Sequence, residues 1–217
     1  MAIKSKDSVD LNVLEKVLDD LGLLQRRNSS VSRSFDFSKI RGETYPDYWK
    51  SYYKENWFDF QLKDLSLISF GVGSISPSSF LYLGCPINCI PEEDYYTRFF
   101  SEDNCISYDE YIATCPTLEN FTYIRYDHSP KQYNDGIHPA NHVHVGYGQS
   151  NRMGIVYQFN ILSFASFIIR QVYPDHWKVV LDNPTRFVSI FNAKSSLVRI
   201  PDSLYGNRDR EQDFYLV

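Results

Sequence analysis

Most of the histidines in this chain fall inside one stretch, residues 121–154, which also contains an R-Y-D motif at residues 125–127. Within it, His138, His142 and His144 follow one another in an H-x3-H-x-H spacing. Imidazole is the usual side chain for proton transfer near neutral pH, and it is also a common ligand of transition metals. The stretch therefore predicts a polar site that the rest of the chain positions.

Both ends of this stretch alternate their side chains between two faces, as β-strands do. Arg125 and Asp127 share a face of the first strand, and His142 and His144 share a face of the second. If the strands pair antiparallel with Asp127 opposite His142, then Arg125 lies opposite His144. The polar connection between them is longer than a hairpin turn requires, so it could fold over this face and add His138.

One chemistry that fits these residues is a metal centre. His138, His142 and His144 would supply three imidazole ligands to a divalent metal ion, with Asp127 as a fourth ligand or as a residue that orients them. A divalent metal is therefore the candidate cofactor.

A second chemistry needs no metal. One histidine acts as a general base and another as a general acid, while Arg125 or Arg152 neutralises charge that develops on a phosphoryl oxygen. A structural interpretation also stays open, in which residues 142–145 form an edge strand with its imidazoles in water. The candidate catalytic residues are Arg125, Asp127, His138, His142, His144 and Arg152.

The 217-residue chain has the composition of a globular domain, with 43% hydrophobic and 23% charged residues. This length is enough to bury a substantial core. Aromatic residues make up 16% of the chain, and their rings suit core packing as well as stacking on bases. The net charge of −5 excludes a basic field over the whole surface, so any contact with nucleic acid has to be local.

The N-terminal sequence MAIKSKDSVD lacks the apolar core of a signal peptide, and no apolar run reaches the length of a transmembrane helix. We therefore expect a cytoplasmic protein without membrane contact. Its cysteines are then expected to be reduced thiols, and their C-x3-C and C-x9-C spacings match no common zinc framework.

The flanking sequence predicts the elements that hold the site. Asp10 is expected to cap a helix that stops at Gly22, and the aromatic residues of 44–59 recur at close to helical spacing, which is typical of core packing. Residues 60–73 and 78–87 each have the pattern of a strand.

These elements predict an α+β fold, mainly an antiparallel sheet with flanking helices. We expect residues 1–34 to form an N-terminal helix and a polar connection. Residues 35–217 are expected to form a single domain that carries the site.

Several spaced motifs resemble the bacterial family known as domain of unknown function 2290. The resemblance covers most of residues 55–178, and its R-Y-D and H-P-x-x-H-x-H-x-G elements are fairly specific. The motifs are D-x-S-L-I-S-F at 64–70, R-Y-D at 125–127, H-P-x-x-H-x-H-x-G at 138–146, Arg152, and F-x-x-F-I-I-R-x-V-Y-P at 164–174. A more distant similarity, in R-Y-D and H-x-H, is to small toxins of bacterial toxin–antitoxin pairs. This more distant similarity implies at most a setting of bacterial conflict or defence, and it assigns no reaction.

We therefore expect a phosphodiester-cleaving or nucleotide-processing effector, directed at RNA, in bacterial conflict or phage defence. As an enzyme it would be a histidine-dependent nuclease or phosphodiesterase, with RNA or a nucleotide as its partner. The alternative is a non-catalytic binding or complex-forming subunit, whose partner is a protein of a defence or toxin–antitoxin complex.

Overall fold

A seven-stranded antiparallel sheet forms the centre of the fold, as the sequence predicts for an α+β protein. The computed structural model describes residues 5–28, 42–71, 78–99, 106–148 and 152–212. The strands of the sheet are β1 (Leu24–Arg27), β2 (Phe60–Leu62), β3 (Leu67–Gly71), β4 (Ser78–Leu83), β5 (Tyr123–His128), β6 (Asn141–Val145) and β7 (Met153–Gly154). Each strand pairs with the next one along the chain. A separate two-stranded sheet pairs β8 (Tyr157–Gln158) with β9 (Val198–Arg199).

Helices cover both faces of the sheet. Those in the described residues are α1 (Ser5–Asp20), α2 (Tyr45–Lys54), α3 (Glu92–Phe99), α4 (Tyr108–Thr114), α5 (Ile161–Val172), α6 (Pro174–Asp182), α7 (Val188–Phe191) and α8 (Asn207–Gln212). Short 3-10 helices lie at Pro130–Gln132, Ala193–Ser196 and Asp202–Leu204.

One face of the sheet packs against α1 and α5. The apolar stripe of α1 includes Leu14 and Leu18, which are fully buried. Asn160 caps α5, because its side-chain oxygen accepts the backbone N–H of Ser163 at 2.8 Å. This cap starts the helix so that Phe164, also fully buried, lies in the same core. Burial of each such side chain contributes about 1.5–3 kcal/mol to folding.

The opposite face is divided between an apolar part and a polar part. Aromatic side chains of α2, α3 and α4 cover the apolar part, and the helix predicted from residues 44–59 buries Trp49 there. This cluster includes Tyr123 at the start of β5. Arg125 and Asp127 continue the same face of that strand. The core therefore anchors one end of β5 and leaves its other end to the polar residues.

Two local predictions are wrong. Helix α1 begins at Ser5, so Asp10 lies within it rather than capping it, because the polar first turns of the helix carry no apolar periodicity that reveals them. The single strand predicted for residues 60–73 is two strands, β2 and β3. A turn separates them at Leu65, which has a positive φ of 64°, and Ser66 N–H donates to the Asp64 carboxylate at 3.0 Å.

The boundary expected near residue 34 lies in residues 29–41, outside the described part of the chain. On its N-terminal side, α1 packs on α5 and β1 pairs with β2 in the central sheet. None of the helices in the described ranges combines the length and the hydropathy needed to cross a bilayer.

Candidate functional site

The two strands that carry the predicted site are neighbours in the sheet. β5 and β6 pair antiparallel, with Asp127 opposite His142 and Arg125 opposite His144. Apolar side chains fix this register from the other face, where Tyr126 and its cross-strand partner are buried in the core. A slip of one residue would turn those side chains into solvent and the polar set into the core. The sequence predicted this register on the condition that the two strands pair, and the structure adopts it.

Asp127 is the centre of the site. Its Oδ2 accepts a hydrogen bond from Arg125 Nε at 2.8 Å. The same oxygen lies 3.5 Å from His142 Nε2 and 3.3 Å from His144 Nε2. Across the ladder on the other side, β4 places Ser79 opposite Asp127, and its hydroxyl donates to the carboxylate. One carboxylate thus gathers side chains from three adjacent strands.

These contacts hold Asp127 in its charged form. Burial alone would raise the pKa of this carboxyl, but the two imidazoles, the guanidinium of Arg125 and the Ser79 hydroxyl lower it more. The net effect places its pKa well below the usual range for aspartate. Burial would lower the pKa of Arg125, but Tyr123 and Asp127 reverse that effect and raise it. The site therefore holds a fixed negative charge beside a fixed positive one.

Both imidazoles opposite this pair are buried, His142 to 2% and His144 to 4% exposure. Nδ1 of His142 is 2.8 Å from the backbone oxygen of Pro139. Neither ring nitrogen of His144 has a hydrogen-bond partner among the residues that the structure describes, although its Nε2 lies 3.3 Å from Asp127 Oδ2. The two rings meet edge to face with their centroids 4.8 Å apart.

The connection between the strands brings a third imidazole to the site. A 3-10 turn after β5 and a bridge between Asn134 and His138 fold this segment back. The centroid of the His138 ring then lies 4.9 Å from that of His142, and its buried Nδ1 has no hydrogen-bond partner within the described part of the chain. Burial lowers the pKa of His138, and the charges of His142 and Arg152 lower it further. Arg152 itself is exposed, just before β7.

A metal ion could be held by one set of residues in the described part of the chain. Asp127, His142 and His144 each offer a ligand atom, and these atoms lie within 4.8 Å of one another. His138, which the sequence grouped with the other two histidines, stands beside this set through its contact with His142.

Sequence reasoning missed two residues that complete the site. Ser79 lies on β4, which nothing in the R-Y-D or H-x-H pattern connects to Asp127. The hydroxyl of Tyr123 is 3.5 Å from Arg125 Nη1, and its ring packs on Tyr147. The signal for Tyr123 was available, since it shares the face of Arg125 and Asp127 on an alternating strand.

Comparison with known proteins gives a family and nothing closer. The family described as "Uncharacterized conserved protein (DUF2290)" matches residues 23–204. No curated protein and no solved structure matches the chain significantly.

Proposed function

Because the chain belongs to this uncharacterized conserved family, DUF2290, whose description names no reaction, we propose a function from the site itself. The protein is a phosphodiester-cleaving or nucleotide-processing enzyme that acts on RNA in bacterial conflict or phage defence. The observation that carries this proposal is the guanidinium of Arg125, fixed by Asp127 at 2.8 Å beside a cluster of imidazoles.

Arg125 is arranged to receive a phosphoryl group. Asp127 takes its Nε–H, and Nη1 approaches the hydroxyl of Tyr123. The side chain remains 34% exposed, so the rest of the planar fork faces outward from a fixed position. A guanidinium held in this way binds phosphate oxygens with little loss of side-chain freedom and stabilises charge that develops on them.

The imidazoles supply proton transfer. One histidine accepts the proton of the attacking hydroxyl as its oxygen forms a bond to phosphorus, and another protonates the ester oxygen that leaves. His138 suits the first role because its lowered pKa keeps the ring neutral near pH 7. Asp127 is charged at that pH, so its negative charge lies beside the other two imidazoles.

Cleavage of a labelled single-stranded RNA of mixed sequence tests this proposal. His142→Gln should reduce the rate by at least about 100-fold, since a positioned acid or base contributes on that order. His128→Gln is the matched control, because His128 is in the same hairpin and its ring contacts Asn141 on the opposite side of the sheet. Equal rates for wild type and the His142 variant would overturn the proposal.

A second candidate is a non-catalytic subunit of a bacterial defence or toxin–antitoxin complex. The burial of His142 and His144 favours it, because buried rings can serve to position Arg125 for binding a phosphate or a partner protein. Under this alternative, RNA or a partner is retained through Arg125 and no turnover occurs with any added metal. Either role fits the cytoplasmic location that the sequence predicts.

A further inference from the structure

The tautomer of His142 is set by its backbone contact. Nδ1 lies 2.8 Å from the carbonyl oxygen of Pro139, which can only accept a hydrogen bond, so Nδ1 carries the hydrogen. In a neutral ring the lone pair is then on Nε2, and Nε2 faces Asp127 Oδ2 at 3.5 Å. Two acceptors that face each other repel, unless a cation lies between them.

The Nε2 atom of His144 also needs a partner. Its ring is buried and neither nitrogen has a hydrogen-bond partner among the described residues. An unpaired polar atom in such a position is destabilising, because burial removes the water that would otherwise bond to it. Its Nε2 lies 3.3 Å from the carboxylate oxygen that His142 faces. One cation beside that oxygen would be a partner for Nε2 of both rings.

All three ligand atoms lie within 4.8 Å of one another, and the two distances from the carboxylate oxygen match those of a metal site. Two ligand atoms of a tetrahedral ion with bonds of about 2.0–2.1 Å are separated by roughly 3.3–3.4 Å. The distances from Asp127 Oδ2 to the two Nε2 atoms are 3.5 and 3.3 Å. They are long for hydrogen bonds but suitable for two pairs of atoms that share an ion.

We infer that Asp127, His142 and His144 bind one divalent transition-metal ion through Oδ2 and the two Nε2 atoms. Two imidazoles with one carboxylate suit zinc, manganese, iron or cobalt, whereas magnesium and calcium prefer a set of oxygen ligands. Surrounding groups orient this set as they do in metalloproteins, since Pro139 fixes one ring and Arg125 fixes the carboxylate.

Three protein ligands leave a coordination position for water or substrate, which is the arrangement of catalytic rather than structural sites. Arg125 contacts the proposed ligand Asp127, and the ring of His138 contacts the proposed ligand His142, so both side chains are close to the ion. This inference rests on the proposed function at the same site and names its cofactor. With His142 and His144 as ligands, proton transfer would fall to His138 and to water held by the ion. Metal binding can nevertheless be measured without any RNA.

The first experiment titrates zinc, and separately manganese, into metal-stripped protein that was purified without a histidine tag, using calorimetry. Wild type should bind one ion per chain. Asp127→Asn and His144→Gln, which keep the shape of each side chain, should weaken binding by at least about 100-fold, since even residues that only orient ligands contribute 10–100-fold. His128→Gln should bind as wild type does. Absence of binding by wild type, or equal binding by the two ligand variants, would overturn the inference.

A second readout covers variants that fold poorly. An ion that binds only the folded state raises the midpoint of thermal unfolding, so zinc should raise it for wild type and His128→Gln but not for the ligand variants. Cobalt in place of zinc should give a visible absorption spectrum that His144→Gln changes. An unchanged spectrum would place the ion elsewhere and overturn the assignment.

The two proposals fail in different ways. Metal bound at this site without RNA cleavage under any metal would overturn the proposed reaction and support the metal site. Cleavage that depends on His142 and persists in protein that binds no metal would support the reaction and overturn the metal site.

Discussion

Asp127 lies directly across the β-ladder from His142, and its Oδ2 is 3.5 Å from the Nε2 of that ring. In an antiparallel pair, moving two residues back along one strand and two forward along the other reaches the next pair on the same face. This one pairing therefore also fixes Arg125 opposite His144. The site is therefore as rigid as the sheet, and its chemistry can be tested with single substitutions.

The substitution Arg125→Lys tests whether Arg125 acts through its positive charge alone or also through the planar shape of its guanidinium. Lysine keeps the positive charge but loses the planar fork that Asp127 and Tyr123 hold, so RNA cleavage should fall by about tenfold or more. Steady-state kinetics should show the loss in kcat, because the fixed guanidinium acts on the transition state. Arg186→Lys is a suitable control, since Arg186 pairs with Asp20 at the exposed end of α1. Full activity in the Arg125 variant would argue against a role in phosphoryl binding.

Tyr126→Phe should lower stability and leave the site active. The Tyr126 hydroxyl contacts Asn141 Oδ1 at 3.3 Å and accepts the Phe159 N–H at 3.2 Å, both on the core face of β5. Loss of these contacts should cost about 0.5–1.5 kcal/mol of unfolding free energy. Urea denaturation measures this cost, and the RNA assay should show no more than a twofold change in rate, by the roughly additive behaviour of separate faces. A large loss of activity would mean that the two faces are coupled.

The register of this hairpin could be predicted from sequence because successive side chains point to opposite faces of a strand, whatever the twist of the sheet. Arg125 and Asp127 must share a face, as must His142 and His144, and Val143 on the other face of β6 is buried in the core. The approach of Ser79 could not be predicted, since it depends on which strand lies beyond β5.

Other features depended on tertiary contacts too. The position of His138 relative to His142 follows from how the connection folds, and no local pattern encodes that path. The turn at Leu65 was hidden because its residues continue the alternation of the flanking strands. The sequence left metal-dependent, metal-free and non-catalytic roles open, because the 3.3 and 3.5 Å distances from Asp127 to the two imidazoles are a property of the folded chain.

Leu18→Ala should test whether α1 belongs to the same folding unit as the site. Leu18 is fully buried in the cluster that also contains Phe164 of α5. Its truncation should cost about 2–5 kcal/mol, and the whole protein should still unfold in one transition at lower denaturant concentration. Val9→Ala on the same helix is the control, because Val9 is 58% exposed and its change should stay within about 0.5 kcal/mol. A separate early transition of α1 would contradict a shared core.

Alkaline pH should unfold the protein through its buried tyrosines. Burial is the largest cause that raises the pKa of Tyr53 to about 12, and it also raises the pKa of Tyr45, Tyr48 and Tyr82. The folded state therefore keeps protons that the unfolded state begins to release near pH 10, so stability is complete below that pH and falls as pH rises toward 12 and beyond.

Denaturant midpoints measured at rising pH, with tyrosinate absorbance recorded in parallel, check this expectation. Most of the absorbance change of these rings should accompany unfolding. Free titration near pH 10 in protein that stays folded would show that the rings are accessible to solvent.

The order of the sheet has a bearing on how the molecule behaves at high concentration. Its two edges are β1 and β7, and an open edge can recruit a strand from another molecule and begin an aggregate. β7 is only two residues long, which is too short to template a neighbour. β1 carries Arg26 and Arg27, which are engaged with Gln61 and Glu15 within the fold. Short length at one edge and charged side chains at the other disfavour pairing of this sheet with the edge of another molecule.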